Sequence, residues 1–236
     1  MQPVRDLLVL GNRAIGQATI AGVRLPIDRS IMTVDLERLL AKRTFEQPER
    51  EAVRKLISPG EVVLELGACL GFISTFIRKH TRAGKIIAVE ANPQLIPYIQ
   101  RVHALNGVRD VTVMNAVVLP EPGAPTVKFY CRAQVPTSSL SPEGAPATSI
   151  AEVATVTFAD IIAQYAPKVL VVDIEGGELE LFQAETLGTI EKIIIELHPQ
   201  AYGLPGMQNI FNDIHRLGFA YDATASAGQV VSFRRP

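Results

Sequence analysis

The sequence predicts an α/β protein built on a mostly parallel sheet with helices on both faces. Three observations predict it. Short apolar runs rich in β-branched residues recur in EVVLEL, KIIAVE, VTVMN, KVLVVD and EKIIIEL, and such runs read as strands buried on both sides. Helically spaced apolar residues stand between them, as in Phe72, Ile73, Phe76 and Ile77. The ending FAYDATASAGQVVSFRRP reads as two strands joined by a Gly and Ser turn, so the last strand should run antiparallel to the rest.

The stretch EVVLELGACLGF organises the chain. Val62 to Leu64 form a strand, Gly67 and Gly71 bracket a tight turn, and a helix follows. This is the first half of a βαβ nucleotide-binding unit, with its loop at the carboxyl end of a strand, where such sheets bind ligands. A glycine turn of this kind also occurs where nothing binds, but two acids sharpen the reading. Glu65 lies at the end of the first strand, and Glu90 ends the next, roughly 20 residues beyond the glycines, where a ribose-binding acid belongs. A dinucleotide needs GxGxxG so that its pyrophosphate can approach bare backbone. The loop reads GACLG, and Glu65 would set a negative charge near the pyrophosphate, costing about 1 kcal/mol or more at an intermediate dielectric. S-adenosylmethionine has no phosphate and carries a sulfonium and an ammonium group, so charge favours this methyl donor over NAD.

Length and composition bound the rest. The 236 residues, 47% hydrophobic with mean hydropathy +0.20, fit one large domain with a filled core. A formal net charge of -1 and a pI near 6.4 give no bulk attraction to nucleic acid or to an anionic membrane, so neither is an expected partner. Cys69 and Cys131 have no CxxC spacing and read as free thiols in a reducing compartment. The start is too weakly apolar for a signal peptide and no run is long enough to span a membrane, so a cytoplasmic protein is expected.

Residues 1 to about 45 lack the βαβ rhythm: ATIAGVRLPID reads as a strand pair turning near Gly22 and IMTVDLERLLAKR as a short helix. This appendage either covers the cofactor cleft or packs on a sheet edge. FEQPEREAVRKLI is a helix with Pro48 in its first turn, stopped by Pro59 and Gly60. After Glu90, Asn92 and Pro93 start a helix that Asn106 and Gly107 end. VTVMN brings Asn115 and Ala116 to a strand end, where Asn115 either meets a base edge or forms a turn. From Leu119 to about Ser149 the chain is Pro, Gly, Ser and Thr rich, broken by TVKFYCR, a strand. TSSLSPEGAPATS is a candidate lid or substrate loop, or a plain surface excursion.

VTFADIIAQYAP then reads as a short strand and helix. In KVLVVDIEGGELELF, the strand Val169 to Val172 ends in Asp173, and Asp173 and Glu175 share a face if the extended backbone persists. The pair reads as part of a cleft, or as charge at a helix amino terminus. Two carboxylates alone are too few to assign a metal. The strand EKIIIELHP ends near Glu196 and His198. His198 sits at the ligand-binding edge, though a lone histidine is commonly structural. A helix from Gly206 to Leu217 follows.

Taken together, FEQPE, PGEVVLELGACLGF, VEANP, the Ser138 and Ser139 pair in TSSL, VVDIEGGELELF and IIIELHP resemble, in that order, the FkbM-type methyltransferases, a branch of the class I S-adenosylmethionine-dependent enzymes. The resemblance covers most of residues 45 to 200 and implies the Rossmann-like class I fold, a seven-stranded sheet whose last strand is reversed. It sets residues 46–236 apart as the cofactor-binding domain, with 1–45 as the appendage. It implies that Glu65 and the loop of Gly67, Ala68, Cys69, Gly71 and Phe72 hold the methionine part. Glu90, with Ala91 and Asn92, would take the ribose, and Asn115 with Ala116 would flank the adenine; Ser138, Ser139 and Asp173 complete the implied cofactor set. The family more often has aspartate where this chain has Glu65, and Asn and Ile where it has Cys69 and Leu70.

The implied activity is O-methylation of a hydroxyl on a sugar or polyketide-like small molecule. The enzyme must align an acceptor oxygen with the methyl group and remove its proton. By intrinsic pKa His198 is the expected base, with Asp173 and Glu175 orienting the acceptor or sharing the proton. A NAD-dependent oxidoreductase and a non-catalytic nucleoside-binding protein acting through a partner use the same fold and stay open. A homo-oligomer is compatible with the sequence.

Overall fold

Apolar residues alternate between two layers of helix along the central strands, which therefore bury both faces. The computed structural model describes residues 2–42, 44–133, 138, 140, 142, 146–184 and 186–236, with side chains from residue 7 onward. The amino-terminal segment gives α1 (Gln2–Ile15), β1 (Gln17–Ile20), β2 (Val23–Pro26) and α2 (Val34–Leu40). The organising unit follows as α3 (Gln47–Leu56), β3 (Val62–Leu66), α4 (Phe72–His80), β4 (Lys85–Glu90), α5 (Ile96–Leu105) and β5 (Val111–Asn115). Next come β6 (Val117–Leu119), β7 (Thr126–Arg132), β8 (Ala147–Thr157) and α6 (Phe158–Tyr165). The chain closes with β9 (Val169–Val172), α7 (Glu178–Leu181), β10 (Lys192–Glu196), α8 (Pro199–Arg216), β11 (Ala220–Tyr221) and β12 (Val230–Arg234).

The main sheet has seven strands in the order β11-β12-β10-β9-β3-β4-β5. Strands β3, β4, β5, β9 and β10 pair in parallel, and β12 runs antiparallel to β10, as the sequence predicts. On one face Val63, Ile86, Val169 and Ile194 pack with α3 and α4 through Val53, Leu56, Phe72 and Phe76. On the other, Leu64, Ile87, Leu170 and Ile193 pack with α6 and α8 through Phe158, Ile210 and Ile214. Order reverses beside β3, whose neighbours are β9 and β4, and ligands bind outside the carboxyl ends of strands at such a reversal.

Four expectations change. The hairpin β1–β2 packs on α4 and α5, where the Tyr98 hydroxyl donates to the Pro26 carbonyl at 2.7 Å. Leu25, Leu36, Leu40 and Phe45 share the apolar cluster of β3 and α4, so this segment is sewn into the core, and none of its described residues lines the cavity at the strand ends. An unexpected helix, α1, precedes the hairpin. Two strands after Leu119, β7 and β8, join β6 in a second, three-stranded sheet of order β6-β8-β7, in which β8 runs eleven residues with alternating polar and apolar side chains. Finally, α8 starts at Pro199 and kinks where Gly203 takes φ 62 and ψ -174; the helix expected from Gly206 is its second part. No helix among the described residues is long and apolar enough to cross a membrane.

Candidate active site

The carboxyl ends of β3, β4 and β9 open onto a cavity of about 530 Å³. Gly67 lies where β3 leaves the sheet. A Cβ there would stand 1.7 Å from the Asp173 carbonyl oxygen, and the backbone has φ +86, so only glycine lets the loop pass β9 so closely. Both Gly67 and Ala68 donate their N–H to the Val89 carbonyl at 3.0 Å, which pins the loop against the end of β4.

Glu90 is buried at that end. One carboxylate oxygen accepts from the Cys69 N–H and the other from the Asn92 N–H, each at 2.7 Å. Burial raises its pKa and these backbone donors oppose the rise. Asn115 ties down the same corner, donating its side-chain amide to the carbonyls of Glu90 and Ala91 at 2.8 and 3.0 Å. Its donor is thereby used within the protein. Ala116, the next residue, lines the cavity with Leu119 and Phe129.

Across the cavity stand Asp173 and Glu175, on the turn between β9 and α7. Behind them is His198, 4% exposed, whose Nε2 lies 3.4 Å from Asp173 Oδ1 and 3.6 Å from Glu175 Oε2. Its Nδ1 faces Glu178 Oε1 at 3.2 Å. Glu178 is fully buried and also accepts from the N–H groups of Ile174 (3.1 Å) and Gly176 (2.8 Å), so one carboxylate braces both the turn and the imidazole. Glu46, Glu49 and Glu196 bring their carboxylates within 4.8 Å of one another on the α3 side of this group.

So much negative charge around one imidazole moves the pKa of Asp173, Glu175, Glu196 and His198. Burial, then Glu196 and Glu46, hold Asp173 well above the usual carboxylate range, with His198 opposing. Burial also raises Glu175, and it lifts Glu196 to about 7 with help from Glu46. For His198, burial pulls downward but is outweighed by the hydrogen bond to Glu178 and the charges of Glu175, Glu178 and Asp173, which push it up to about 9. The imidazole therefore carries a proton at neutral pH, and it does not line the cavity. The expectation that His198 is a free base is corrected on both grounds: its ring is held by carboxylates that stand between it and the cavity.

Of the residues named from the sequence, Gly67, Cys69, Glu90, Ala91, Ala116, Ser138, Asp173 and Glu175 line the cavity. Glu65 does not: it faces α4, accepting from the Ser74 N–H at 3.2 Å, and burial lifts its pKa to about 8. Ala68, Gly71 and Phe72 support the loop from outside the cavity, with Phe72 edge-on to Phe45. Asn92 is buried, its Oδ1 accepting from the Gln94 N–H at 3.0 Å, a turn that sets up α5. Ser138 Oγ accepts from the Arg132 N–H at 3.0 Å. Ser139 and five other residues of the proposed lid (137, 141 and 143–145) lie outside the described residues. Sequence reasoning missed Glu178, Glu46 and Glu49; the signal present was their spacing, in DIEGGE and FEQPE. Cys69 (φ 45), Glu46 (φ 49) and Glu175 (φ 54) all hold left-handed backbone, which costs side-chain-bearing residues about 1–3 kcal/mol each and clusters at functional sites.

Residues 29–119 match a family model described as the TRM5/TYW2 methyltransferase domain. Trm5b from Pyrococcus abyssi superposes with a TM-score of 0.51 at 16% identity, over 93% of this chain and 56% of that one. A putative transferase, PH0793 from Pyrococcus horikoshii, superposes with a TM-score of 0.51 at 14% identity, over 92% of this chain and 70% of that one. No curated protein matches the chain significantly. The fold is the Rossmann-like methyltransferase fold. In its terms, β12 is the reversed strand inserted beside β10, and the Gly67 loop is the turn after the first strand of the sheet.

Proposed function

We propose that the protein is an S-adenosylmethionine-dependent methyltransferase acting on a hydroxyl group. The observation that carries this reading is the meeting, in one cavity of a methyltransferase sheet, of Glu90 on one wall with Asp173 and Glu175 on the other. The residues fit the donor. Gly67 lets the loop lie against the end of β9 at the edge of the cavity, Glu90 is fixed to accept from a ribose, and Ala116, Leu119 and Phe129 offer an apolar seat for a purine. When bound, the donor supplies a methyl group on a positively charged sulfur.

The chain's own residues do the rest. Asp173 and Glu175 face the cavity, and their raised basicity suits them to take the proton of an acceptor hydroxyl as its oxygen bonds to the methyl carbon and the carbon–sulfur bond breaks. His198, protonated and buried, holds both carboxylates in place, and Glu178 holds His198. These are positioning roles. The acid-rich wall and the net charge of -1 favour a neutral hydroxylated small molecule such as a sugar or polyketide, in line with the FkbM-type motifs. Both cysteines are free, which suits a cytoplasmic protein.

An RNA acceptor is the second reading, because the family model matching residues 29–119 is named for methyltransferases that act on tRNA. The test is to incubate purified protein with S-adenosylmethionine and, separately, hydroxylated metabolites and unmodified tRNA, measuring S-adenosylhomocysteine. Product with the metabolites supports the first reading and product with tRNA alone the second. Thermal stabilisation by NADH but not by S-adenosylhomocysteine would sink both.

A further inference from the structure

The turn after β9 brings together three donor atoms of mixed chemistry. Asp173 Oδ1, Glu175 Oε2 and His198 Nε2 lie within 4.8 Å of one another, with His198 Nε2 3.4 and 3.6 Å from the two carboxylates. An ion about 2.1 Å from each ligand sets its ligands about 3.0 Å apart at right angles and about 3.4 Å apart in a tetrahedron. The two separations from His198 Nε2 are close to those of ligands arranged tetrahedrally around a common centre.

Three features of this geometry point to a ligand there. The Nε2 of the 4%-exposed His198 is aimed between two carboxylates at 3.4 and 3.6 Å, longer than a close charge-assisted hydrogen bond. The other ring nitrogen is held by Glu178, which is anchored in turn on two backbone N–H groups. A carboxylate behind an imidazole is how metal-ligating histidines are oriented, with the remaining nitrogen turned to the ion. Lastly, Asp173 Oδ1 is buried with no hydrogen-bond partner, on the side facing His198.

We propose that Asp173, Glu175 and His198 bind a divalent transition-metal cation, of which Mn²⁺ is the probe, in the wall of the cavity, the ion taking the place of the proton that His198 Nε2 carries without it. Mixed imidazole and carboxylate donors suit such ions, and three protein ligands leave positions open. The ion's use rests on the methyltransferase reading. An acceptor hydroxyl on an open position is acidified by the ion, its proton passes to the uncoordinated Glu175 oxygen, and its oxygen bonds to the methyl carbon as the carbon–sulfur bond breaks. The acceptor class narrows to alcohols able to coordinate a metal, such as sugars and hydroxy-ketones.

The experiment uses the full chain, stripped of metal and without methyl donor, titrated with Mn²⁺ and followed by electron paramagnetic resonance. Expected are one bound ion per chain and, by pulsed measurement, coupling to an imidazole nitrogen. Glu175→Gln should weaken binding about tenfold or more, and His198→Gln should remove the nitrogen coupling. Absence of a saturable site in the wild type, or a site lacking nitrogen coupling, overturns the proposal without relying on any variant. Calorimetry with S-adenosylhomocysteine on the same metal-free protein separates the two readings. Nucleoside binding without an Mn²⁺ site removes the ion alone, whereas an Mn²⁺ site without nucleoside binding removes the methyl donor and keeps the ion.

Discussion

Glu90, at the end of β4, has each carboxylate oxygen on a backbone N–H, whereas Asp173, one residue past β9, has a buried oxygen with no hydrogen bond and three acids for neighbours. Both face the same cavity from the same edge of the sheet. The first wall is complete in itself: loop, strand end and Asn115 satisfy one another, so the surface offered to a nucleoside is preorganised. The second wall gathers more carboxylates than its one imidazole can pair, which is the basis of the proposed cation site. On the proposed function, one wall recognises and the other reacts.

The largest effect is expected where the two walls touch. Gly67→Ala forces a Cβ to within 1.7 Å of the Asp173 carbonyl, so the variant should lose about 3 kcal/mol or more of stability by urea unfolding. If it keeps wild-type stability, the loop does not pass β9 as described.

The next prediction concerns the support behind the recognising wall. His103 is buried on α5, its Nε2 3.0 Å from Ser74 Oγ, and burial lowers its pKa from 6.5 to about 4. The unfolded chain therefore takes up this proton at higher pH than the folded one. The stabilisation is complete above about 6.5 and is lost as pH falls through 4. The loss is on the order of 3 kcal/mol. Urea midpoints across pH 4 to 7 should show that slope, and His103→Gln should flatten it.

Glu90→Ala tests recognition itself: affinity for S-adenosylhomocysteine should fall by about 1–3 kcal/mol in calorimetry, through lost charge-assisted hydrogen bonds. Unchanged affinity would remove Glu90 from the site. On the reacting wall, Glu178→Gln should cut turnover about tenfold, with nucleoside affinity retained, because the imidazole loses its brace. Equal losses in binding and turnover would blur the division between the walls.

The strands and the helices that cover them were legible because apolar periodicity is a local property. Val62 to Leu64, Val169 to Val172 and the reversed last strand stand where the sequence reading puts them. Glycines and strand-end acids marked the cavity edge for the same reason, since both lie at the ends of those runs. Less legible were β8, whose alternation was hidden by a Pro, Gly and Ser rich approach, and α8, whose Gly203 and Pro205 read as a break.

Which way each acid points was not local. Glu65 is next to last in β3 and Glu90 is last in β4, yet Glu65 turns to Ser74 on α4 and Glu90 to the cavity. The pleat and the helix packed on each face decide that. His198 looked like a base by its intrinsic pKa, but its protonation depends on Asp173, Glu175 and Glu178, brought beside it by the parallel pairing of β9 and β10. The order of residues thus determined the sheet and the edge where ligands bind. Only the tertiary structure decided which charges meet, because pKa and coordination depend on distances across strands that the sequence keeps apart.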